Sequence, residues 1–191
     1  MVDDGSIDDT AVIAKREGAL VIRNEKNMGK GAALRAGFGQ AFKDGYEAVL
    51  TMDGDDQHDV TDIAQLIKKM REKPDAGMII GNRMLDTGSM PRLRIAVNKF
   101  TSRLMSWVAR QYVPDSQCGF RIVKKDVYDR IKLESSNFEI ESEMIIKAAR
   151  AGFRIESAPI KTVYQDEKSR INPIVDTLRF IAMMVRMALK R

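Results

Sequence analysis

The stretch EAVLTMDGDDQHD (residues 47–59) decides how this chain folds, because an apolar run ends there in a group of carboxylates. Its first seven residues are typical of a buried strand, and the runs at 18–24 and 76–82 have the same character. Helical patterns at 29–42 and 60–70 separate these runs. The alternation predicts an α/β fold in which a parallel sheet is covered by helices on both faces.

Polar residues follow three of the predicted strands where each strand ends. They are Asp3-Asp4 after Val2, Asp53-Gly54-Asp55 after Met52, and Gly81-Asn82-Arg83. Ligands bind at the carboxyl ends of parallel strands, so we expect these groups to lie side by side on one edge of the sheet. Beyond residue 113 we expect short strands, a helix near 139–151, a strand near 153–164 and a last helix from about 172.

The composition suits one globular domain: the chain has 191 residues, of which 44% are hydrophobic. The single cysteine, Cys118, excludes an internal disulfide and indicates a reducing compartment. No secretory signal is visible, and no run of 18 uncharged apolar residues predicts a membrane-spanning helix.

The net charge of +5 is unevenly distributed along the chain. Residues 1–59 carry 12 acidic and 7 basic groups, whereas residues 91–113 carry five basic groups and no acid. Residues 168–191 carry six basic groups against Asp176 alone. This pattern predicts a metal or nucleotide at the acidic end and an anionic partner at the basic stretches, the alternative being solvated helix faces.

Asp53 and Asp55 are spaced so that both carboxylates reach one hard cation, and Gly54 between them allows a tight turn. Mg²⁺ or Mn²⁺ held by one or two carboxylates and by phosphate oxygens is the usual arrangement for a nucleotide diphosphate. The alternative is that these aspartates only cap a turn. The sequence thus offers a candidate metal site, which remains one of two interpretations at this point.

Two other ligand-binding motifs are excluded because residues that they require are missing. A calcium loop starting at Asp53 needs glycine and glutamate where His58 and Ala64 stand. A phosphate-binding P-loop in NMGKGAAL lacks its first glycine, since Asn24 holds that place, and its Ser or Thr. Lys30 has two interpretations: it contacts a phosphate, or it covers the sheet edge. His58, the only histidine, either orients the carboxylates or contacts the metal, or else it has a cap or surface role.

Six segments occur in an order that resembles a known family. They are VDDGSIDDT (2–10), RNEKNMGKGAALRAGF (23–38), MDGDDQHDV (52–60), SQCGFRIVKKDVYDRI (116–131), FEIESEMIIKAARAGFRI (138–155) and DEKSRINPIVDTLRF (166–180). Together they resemble the inverting family 2 glycosyltransferases, in the dolichol-phosphate mannosyltransferase-like branch that loads sugars onto polyprenyl phosphates. The resemblance implies a Rossmann-like GT-A fold, a GDP-mannose or UDP-sugar donor, Mg²⁺ or Mn²⁺, and a polyprenyl or dolichyl phosphate acceptor.

The resemblance also implies roles for individual residues. Val2 would close a strand beside the nucleotide, and Asp4 would contact its base or ribose. The metal on the diphosphate would be held by Asp53 and Asp55, with Gln57 close by. Further contacts to the sugar and phosphates are implied for the following residues: Arg83, Gln117, Gly119, Phe120, Arg121, Lys168 and Arg170.

Catalysis is expected to depend on Asp55 and Arg83, because the leaving diphosphate must be stabilised. Glu141, at a predicted helix start, is a candidate base if the acceptor is a hydroxyl, the alternative being a helix-start acid favoured by the helix dipole. The chain is divided into a core at 1–165 and a C-terminal part at 166–191 with a basic loop and an amphipathic helix.

The sequence departs from the family pattern in three ways. Asp56 is an extra acid in the carboxylate turn, and Arg170 replaces a more usual lysine. The opening strand and helix of the family, roughly 30 residues, are expected before Val2 and are absent, so an N-terminally truncated fold is predicted.

Two basic amphipathic stretches predict contact with an anionic membrane surface. In 94–110 the apolar side comprises Val97, Phe100, Leu104 and Val108, with Trp107 beside them, against Lys99, Arg103 and Arg110. The segment 173–191 repeats the pattern; ordinary core packing is the alternative for both. The predicted location is peripheral, on the cytoplasmic face of a membrane. No nucleic-acid partner is predicted, and a second copy of the chain or a membrane protein is a further candidate partner.

Two other functions stay open at the level of sequence. A receiver domain of a two-component system shares the acidic pair, but it needs a lysine after a later strand, and Lys73 instead precedes the strand at 76–82. The second alternative is a truncated transferase that no longer binds its donor, since loss of the first strand would expose sheet edges.

Overall fold

The computed structural model describes residues 1–88, 90–161 and 173–189, apart from the side chains of 173–178 and 188–189. Lys168 and Arg170 lie outside the described residues. The strands are β1 Val2–Asp3, β2 Ile22–Arg23, β3 Ala48–Thr51, β4 Ala76–Asn82, β5 Arg121–Lys124 and β6 Arg154–Pro159. The helices are α1 Thr10–Arg16, α2 Lys30–Lys43, α3 Ile63–Glu72, α4 Arg92–Ala109, α5 Lys125–Arg130, α6 Glu139–Arg150 and α7 Pro173–Leu189, with short 3₁₀ turns at Val60–Asp62 and Arg83–Leu85.

The central sheet has four strands in the order β3-β5-β4-β6. Strand β4 pairs parallel with β6, whereas β5 runs antiparallel to both of its neighbours, β3 and β4. The prediction of an α/β fold is confirmed, and three of the four strands run in one direction. Strands β3 and β4 run in the same direction, so the polar groups that follow them lie at the same edge of this sheet, although β5 stands between the two strands.

The first two strands form a separate parallel pair in the described part of the chain, with Val2 opposite Ile22. A strand does occur in the predicted stretch 18–24, but its predicted burial is wrong: only Ile22–Arg23 are extended, neither residue is buried, and the nearby Leu20 is exposed. A pair of two-residue strands lacks neighbours that would cover both of its faces. Strand β1 ends at Asp3, one residue later than predicted, and the three polar groups do not share one sheet edge as expected.

The core lies between the sheet and the helices that pack against it. Strand β4 is buried along its whole length, while β3 is only half-buried, contrary to the predicted burial of 47–53. On α2, the rings of Phe38 and Phe42 contact Tyr128 of α5. Helix α6 contributes its apolar face to the core, and α7 packs against α4 and α6.

The helices predicted from periodicity are present with small shifts in their ends. Helix α2 begins and ends one residue later than predicted, and α6 occupies 139–150 of the predicted 139–151. Within the described residues, no helix is both long enough and apolar enough to cross a membrane.

Candidate functional site

A partly buried ammonium group stands at the centre of the site. The Nζ atom of Lys30 lies 2.7 Å from Oδ1 of Asp53 and 3.0 Å from Oε1 of Glu141, and its side chain is 19% exposed. Burial alone lowers the pKa of Lys30, but the charges of Glu141 and Asp53 outweigh burial and raise the pKa above its ordinary value. We call Lys30, Asp53 and Glu141 the lysine–carboxylate cluster; it joins the start of α2, the end of β3 and the first turn of α6.

Two glycines allow α2 to begin close enough to the loop before α6. The backbone N–H of Gly31 donates to the carbonyl of Ser136 at 2.8 Å, and a Cβ atom on Gly31 would lie 2.3 Å from the carbonyl oxygen of Ser135. Gly29 has φ of +90°, and its Cβ atom would meet the carbonyl oxygen of Ser136 at 2.4 Å. A side chain at either position would overlap this loop, so α2 could not begin so close to it.

Asp4 holds the loop that leads into α2. Its carboxylate accepts hydrogen bonds from Nδ2 of Asn24 at 2.7 Å and from the backbone N–H groups of Met28 and Gly29 at 2.9 and 2.8 Å. The structure therefore gives Asp4 a positioning role for the start of α2, against which β1 and Val2 pack. Its predicted contact with a base or ribose stays a prediction.

Asp53 is seated against the backbone of Gly119. A Cβ atom on Gly119 would lie 2.4 Å from Oδ2 of Asp53, and the hydroxyl of Thr51 donates to the carbonyl of Gly119 at 2.8 Å. The sequence singled out both Asp53 and Gly119, and the structure brings them together although they are far apart in the chain. The close approach fixes where the Asp53 carboxylate points.

His58 is buried beside Asp53, so the surface role allowed by the sequence is wrong. Its Nε2 atom lies 4.0 Å from Oδ2 of Asp53, and its ring packs against Phe120 with 5.0 Å between centroids. Burial lowers the pKa of His58, against the opposing effect of Asp53. The imidazole therefore borders the Asp53 carboxylate on the side of Oδ2.

The remainder of the carboxylate turn is more open. Oδ1 of Asp55 accepts a hydrogen bond from the backbone N–H of Gln57 at 3.2 Å. The residue with a left-handed backbone is Asp56, with φ of 54°, and a Cβ atom on Gly54 would meet open space. The tight turn that the sequence analysis assigned to Gly54 does not use the conformational freedom of that glycine, since the unusual conformation falls one residue after Asp55.

Both predicted arginines are engaged by the protein. Arg83 is paired with the fully buried Asp115, which sequence reasoning missed because an isolated loop aspartate carries no pattern. Arg121, 2% exposed, donates to the carbonyls of Cys118, Ser116 and Glu141. We assign Arg121 a scaffolding role, since it ties the segment at 116–118 to α6. A phosphate contact by Arg83 stays a prediction.

The described side chains fit a metal only in part. Among them, no group of three or more His, Cys, Asp or Glu side chains is arranged to hold an ion. Asp53 and Asp55 supply oxygen ligands of the type that Mg²⁺ and Mn²⁺ prefer, and the ammonium beside Asp53 shows that this position favours a positive charge. The residues therefore fit an ion that brings further ligands with it, as a nucleotide diphosphate does.

Residues 1–132 match the sequence profile described as "Glycosyl transferase family 2", which is more than half of the chain. The chain belongs to glycosyl transferase family 2. The family predicted from the six segments is thereby confirmed, and the protein is a transferase enzyme.

Two relatives of this family 2 glycosyltransferase illustrate the extent of the match. An uncharacterised protein, MJ1222 of Methanocaldococcus jannaschii, is 33% identical over 171 residues, which cover 87% of this chain and 70% of that protein. The undecaprenyl-phosphate mannosyltransferase of Micrococcus luteus is 30% identical over 183 residues, which cover 87% of this chain and 72% of that protein.

The fold of the glycosyltransferase is also that of a solved structure. Glucosyl-3-phosphoglycerate synthase from Mycobacterium tuberculosis, crystallised with Mn²⁺ and UDP-glucose, superposes with a TM-score of 0.74 at 16% identity. The match covers 98% of this chain and 66% of that chain. The predicted GT-A fold is confirmed, with the mixed strand directions described above.

Proposed function

We propose that this glycosyltransferase moves a sugar from a nucleotide-diphosphate sugar to the phosphate of a polyprenyl or dolichyl lipid. The observation that carries the proposal is the turn with Asp53 and Asp55, which follows β3 and stands beside the partly buried ammonium group of Lys30. Such a site suits a diphosphate bound through a divalent metal, and an undecaprenyl-phosphate mannosyltransferase is among the relatives.

The reaction is a displacement at the anomeric carbon of the sugar. An oxygen of the acceptor phosphate forms the new bond on the face opposite the diphosphate, and the departing nucleoside diphosphate takes the electron pair of the broken C–O bond. The configuration is therefore inverted. The acceptor oxygen is already anionic, so a general base is not required, and Glu141 is free to hold Lys30.

Charge on the leaving diphosphate is the main difficulty of the reaction. Mg²⁺ or Mn²⁺, when bound by Asp53 and Asp55 with Gln57 nearby, supplies Lewis-acid stabilisation of that charge. Lys30 adds a positive charge at the same place, and Asp115 orients Arg83 for a phosphate. Lys168 and Arg170, outside the described residues, are proposed as further phosphate contacts, and Val2 and Asp4 as contacts of the nucleoside.

Helix α4 supports a lipid acceptor. Leu93, Phe100 and Trp107 are 77%, 68% and 71% exposed, and Val97 is exposed on the same side. The basic residues Arg92, Lys99 and Arg103 flank this apolar stripe and are exposed as well. The predicted stripe needs correction at two positions: Val108 is buried in the core, and Leu104 is half-buried and packs against the core.

A helix with an exposed apolar stripe and a basic flank suits the surface of an anionic membrane. We therefore propose peripheral attachment through α4, with Ile181 and Val185 of α7 also exposed. The cytoplasmic face is the proposed side, because the unpaired thiol of Cys118 indicates a reducing compartment.

Binding and transfer test the proposal in one series. The protein is titrated with GDP-mannose and with UDP-glucose in the presence of Mn²⁺, and then incubated with undecaprenyl or dolichyl phosphate in detergent, with the lipid product followed by mass spectrometry. We expect metal-dependent binding of one donor and formation of a glycosylated lipid phosphate, both lost in Asp55→Ala. Failure to bind either donor, with Mn²⁺ present, would reject the proposal and favour a transferase that has lost its donor site.

A further inference from the structure

We propose that Lys30 is the resident cation of the site, so that a divalent metal binds well only together with a nucleotide. This inference rests on the proposed function, since it concerns the same Asp53 carboxylate. The ammonium of Lys30 holds the position beside Asp53 that an incoming cation would otherwise take. The nucleotide releases Asp53 by offering Lys30 other anionic oxygens.

The distances show that Lys30 is shared between two acids. Its Nζ atom is within 3.0 Å of both Asp53 and Glu141, and the three side chains are only 19%, 32% and 14% exposed. In such surroundings an ion pair is screened far less than at the surface. A divalent ion approaching Asp53 alone therefore meets a carboxylate whose charge is already compensated at close range.

The second acid would not be left without a partner if Lys30 moved. The other oxygen of Glu141, Oε2, lies 3.8 Å from Nη2 of Arg121, which is itself fixed by backbone carbonyls. Glu141 thus keeps a positive neighbour while the ammonium shifts. The four-carbon stem of lysine allows such a shift without movement of the backbone.

Nucleotide phosphates make the exchange favourable. A diphosphate arriving with Mg²⁺ or Mn²⁺ brings anionic oxygens that can accept hydrogen bonds from the ammonium. Lys30 then passes from Asp53 to the diphosphate, and Asp53 becomes available to the metal. In this arrangement Lys30 is a positioning residue that sets the order of binding.

A purely structural role for Lys30 gives the opposite expectation for metal binding. If Lys30 only ties α2 to α6, then its removal loosens the site and weakens the binding of Mn²⁺. If Lys30 is the resident cation, then its removal leaves two carboxylates facing each other and strengthens the binding of Mn²⁺ in the absence of nucleotide. The sign of the change therefore separates the two roles.

The test measures the affinity for Mn²⁺ alone, without nucleotide or catalysis. Mn²⁺ is titrated into the wild type, Lys30→Met and Lys30→Gln, and free Mn²⁺ is followed by electron paramagnetic resonance. Lys30→Gln keeps a hydrogen-bond donor and provides the answer if Lys30→Met does not fold. Lys43→Met, an exposed lysine at the other end of α2, is the matched control.

We expect both Lys30 variants to bind Mn²⁺ on the order of ten- to a hundredfold more tightly than the wild type, as expected on removing a cation next to a ligand carboxylate. Lys43→Met should bind Mn²⁺ as tightly as the wild type does. The affinity of the wild type for Mn²⁺ should rise when GDP or UDP is added. Unchanged or weaker binding of Mn²⁺ by the folded Lys30 variants overturns this inference.

The nucleotide arm separates this failure from a failure of the proposed function. If the wild type binds Mn²⁺ with nucleotide but the Lys30 variants show no gain without it, only the role of Lys30 is rejected. If no protein in the series binds Mn²⁺ under either condition, both proposals fall.

Discussion

Arg83 and Asp115 form a bidentate ion pair inside the protein. Nε of Arg83 lies 2.8 Å from Oδ2 of Asp115, and Nη2 lies 2.9 Å from Oδ1. The same carboxylate accepts the backbone N–H of Arg83, so the start of the turn after β4 is fixed to the segment before β5. This pair determines the direction in which the Arg83 guanidinium faces.

Asp115→Asn should destabilise the fold by about 3–5 kcal/mol, because it leaves the Arg83 charge buried without its counter-charge. Urea unfolding at neutral pH measures the change. Asp75→Asn removes the exposed partner of Arg154 and should have little effect. Equal effects of the two substitutions would show that the buried pair has no special weight.

Gly119→Ala should weaken metal-dependent nucleotide binding by about a hundredfold, because the new methyl group displaces the Asp53 carboxylate. The matched control is Gly54→Ala in the turn that carries Asp53, where the added methyl group meets open space. Calorimetric titration with nucleotide and Mn²⁺ compares the two variants. Normal binding by Gly119→Ala would mean that the close contact between Asp53 and Gly119 does not matter for nucleotide binding.

Gly31→Ala should cost about 1–3 kcal/mol of stability, because its Cβ atom would overlap the carbonyl of Ser135. Gly39→Ala, in the same helix, meets only the Tyr128 hydroxyl at 3.8 Å and should stabilise the helix by roughly 0.5–1 kcal/mol. Thermal unfolding of both variants tests the opposite signs. A stabilised Gly31→Ala would contradict the close approach of α2 to the loop before α6.

Glu143 gives the fold a dependence on pH. Burial alone raises the pKa of this carboxyl, but the contact with Lys147 and the N–H group of Ser135 outweigh burial and hold the pKa below its ordinary value. Because the folded-state pKa is the lower one, the stabilisation is complete above the unfolded pKa of about 4.5 and is lost as pH falls through the folded value.

Glu143→Gln should therefore lower the free energy of unfolding by roughly 1–3 kcal/mol at pH 7, and the difference from the wild type should shrink below about pH 4.5. Urea unfolding at pH 7 and at pH 4 or below measures both values. Glu72→Gln, on the exposed end of α3, is the control. A difference that stays constant with pH would exclude the titration of Glu143 as the cause.

Phe100→Glu should reduce binding to vesicles rich in anionic lipid by about tenfold, because it puts an acid into the exposed stripe of α4. Co-sedimentation with phosphatidylglycerol vesicles measures the loss. Tyr46→Glu changes an aromatic residue of comparable exposure in the turn before β3 and should leave binding intact. Equal losses in both variants would point to net charge rather than to a defined surface.

The sequence predicted those helices and strands whose apolar residues recur in a regular local pattern. The apolar period of α3 and α6 and the continuous run in β4 are visible in the sequence because each element buries one stripe or its whole length. Strand β5 was foreseen only as one of the short strands beyond residue 113, without bounds, because it has four residues, two of them charged. Its antiparallel place between β3 and β4 depends on distant partners that no local pattern specifies.

The candidate site was likewise predicted only in part. Asp53 was found because it is paired with Asp55 at short spacing. Its contacts with Lys30 and Glu141 were not predicted, because the three side chains come from separate elements. The available signal was Gly29-Lys30-Gly31 at a helix start, where flanking glycines indicate that the backbone approaches another segment closely.

The place of β5 also determines when the protein can fold during synthesis. Residue Ala48 of β3 pairs with Lys124, so the ribosome must complete β5 before β3 and β4 are joined. Pairings of such long sequence separation form slowly, since a long loop must close before any contact compensates for it. Chains that end before β5 therefore leave two unconnected strand edges exposed, and expression of residues 1–113 alone should yield aggregated rather than folded protein.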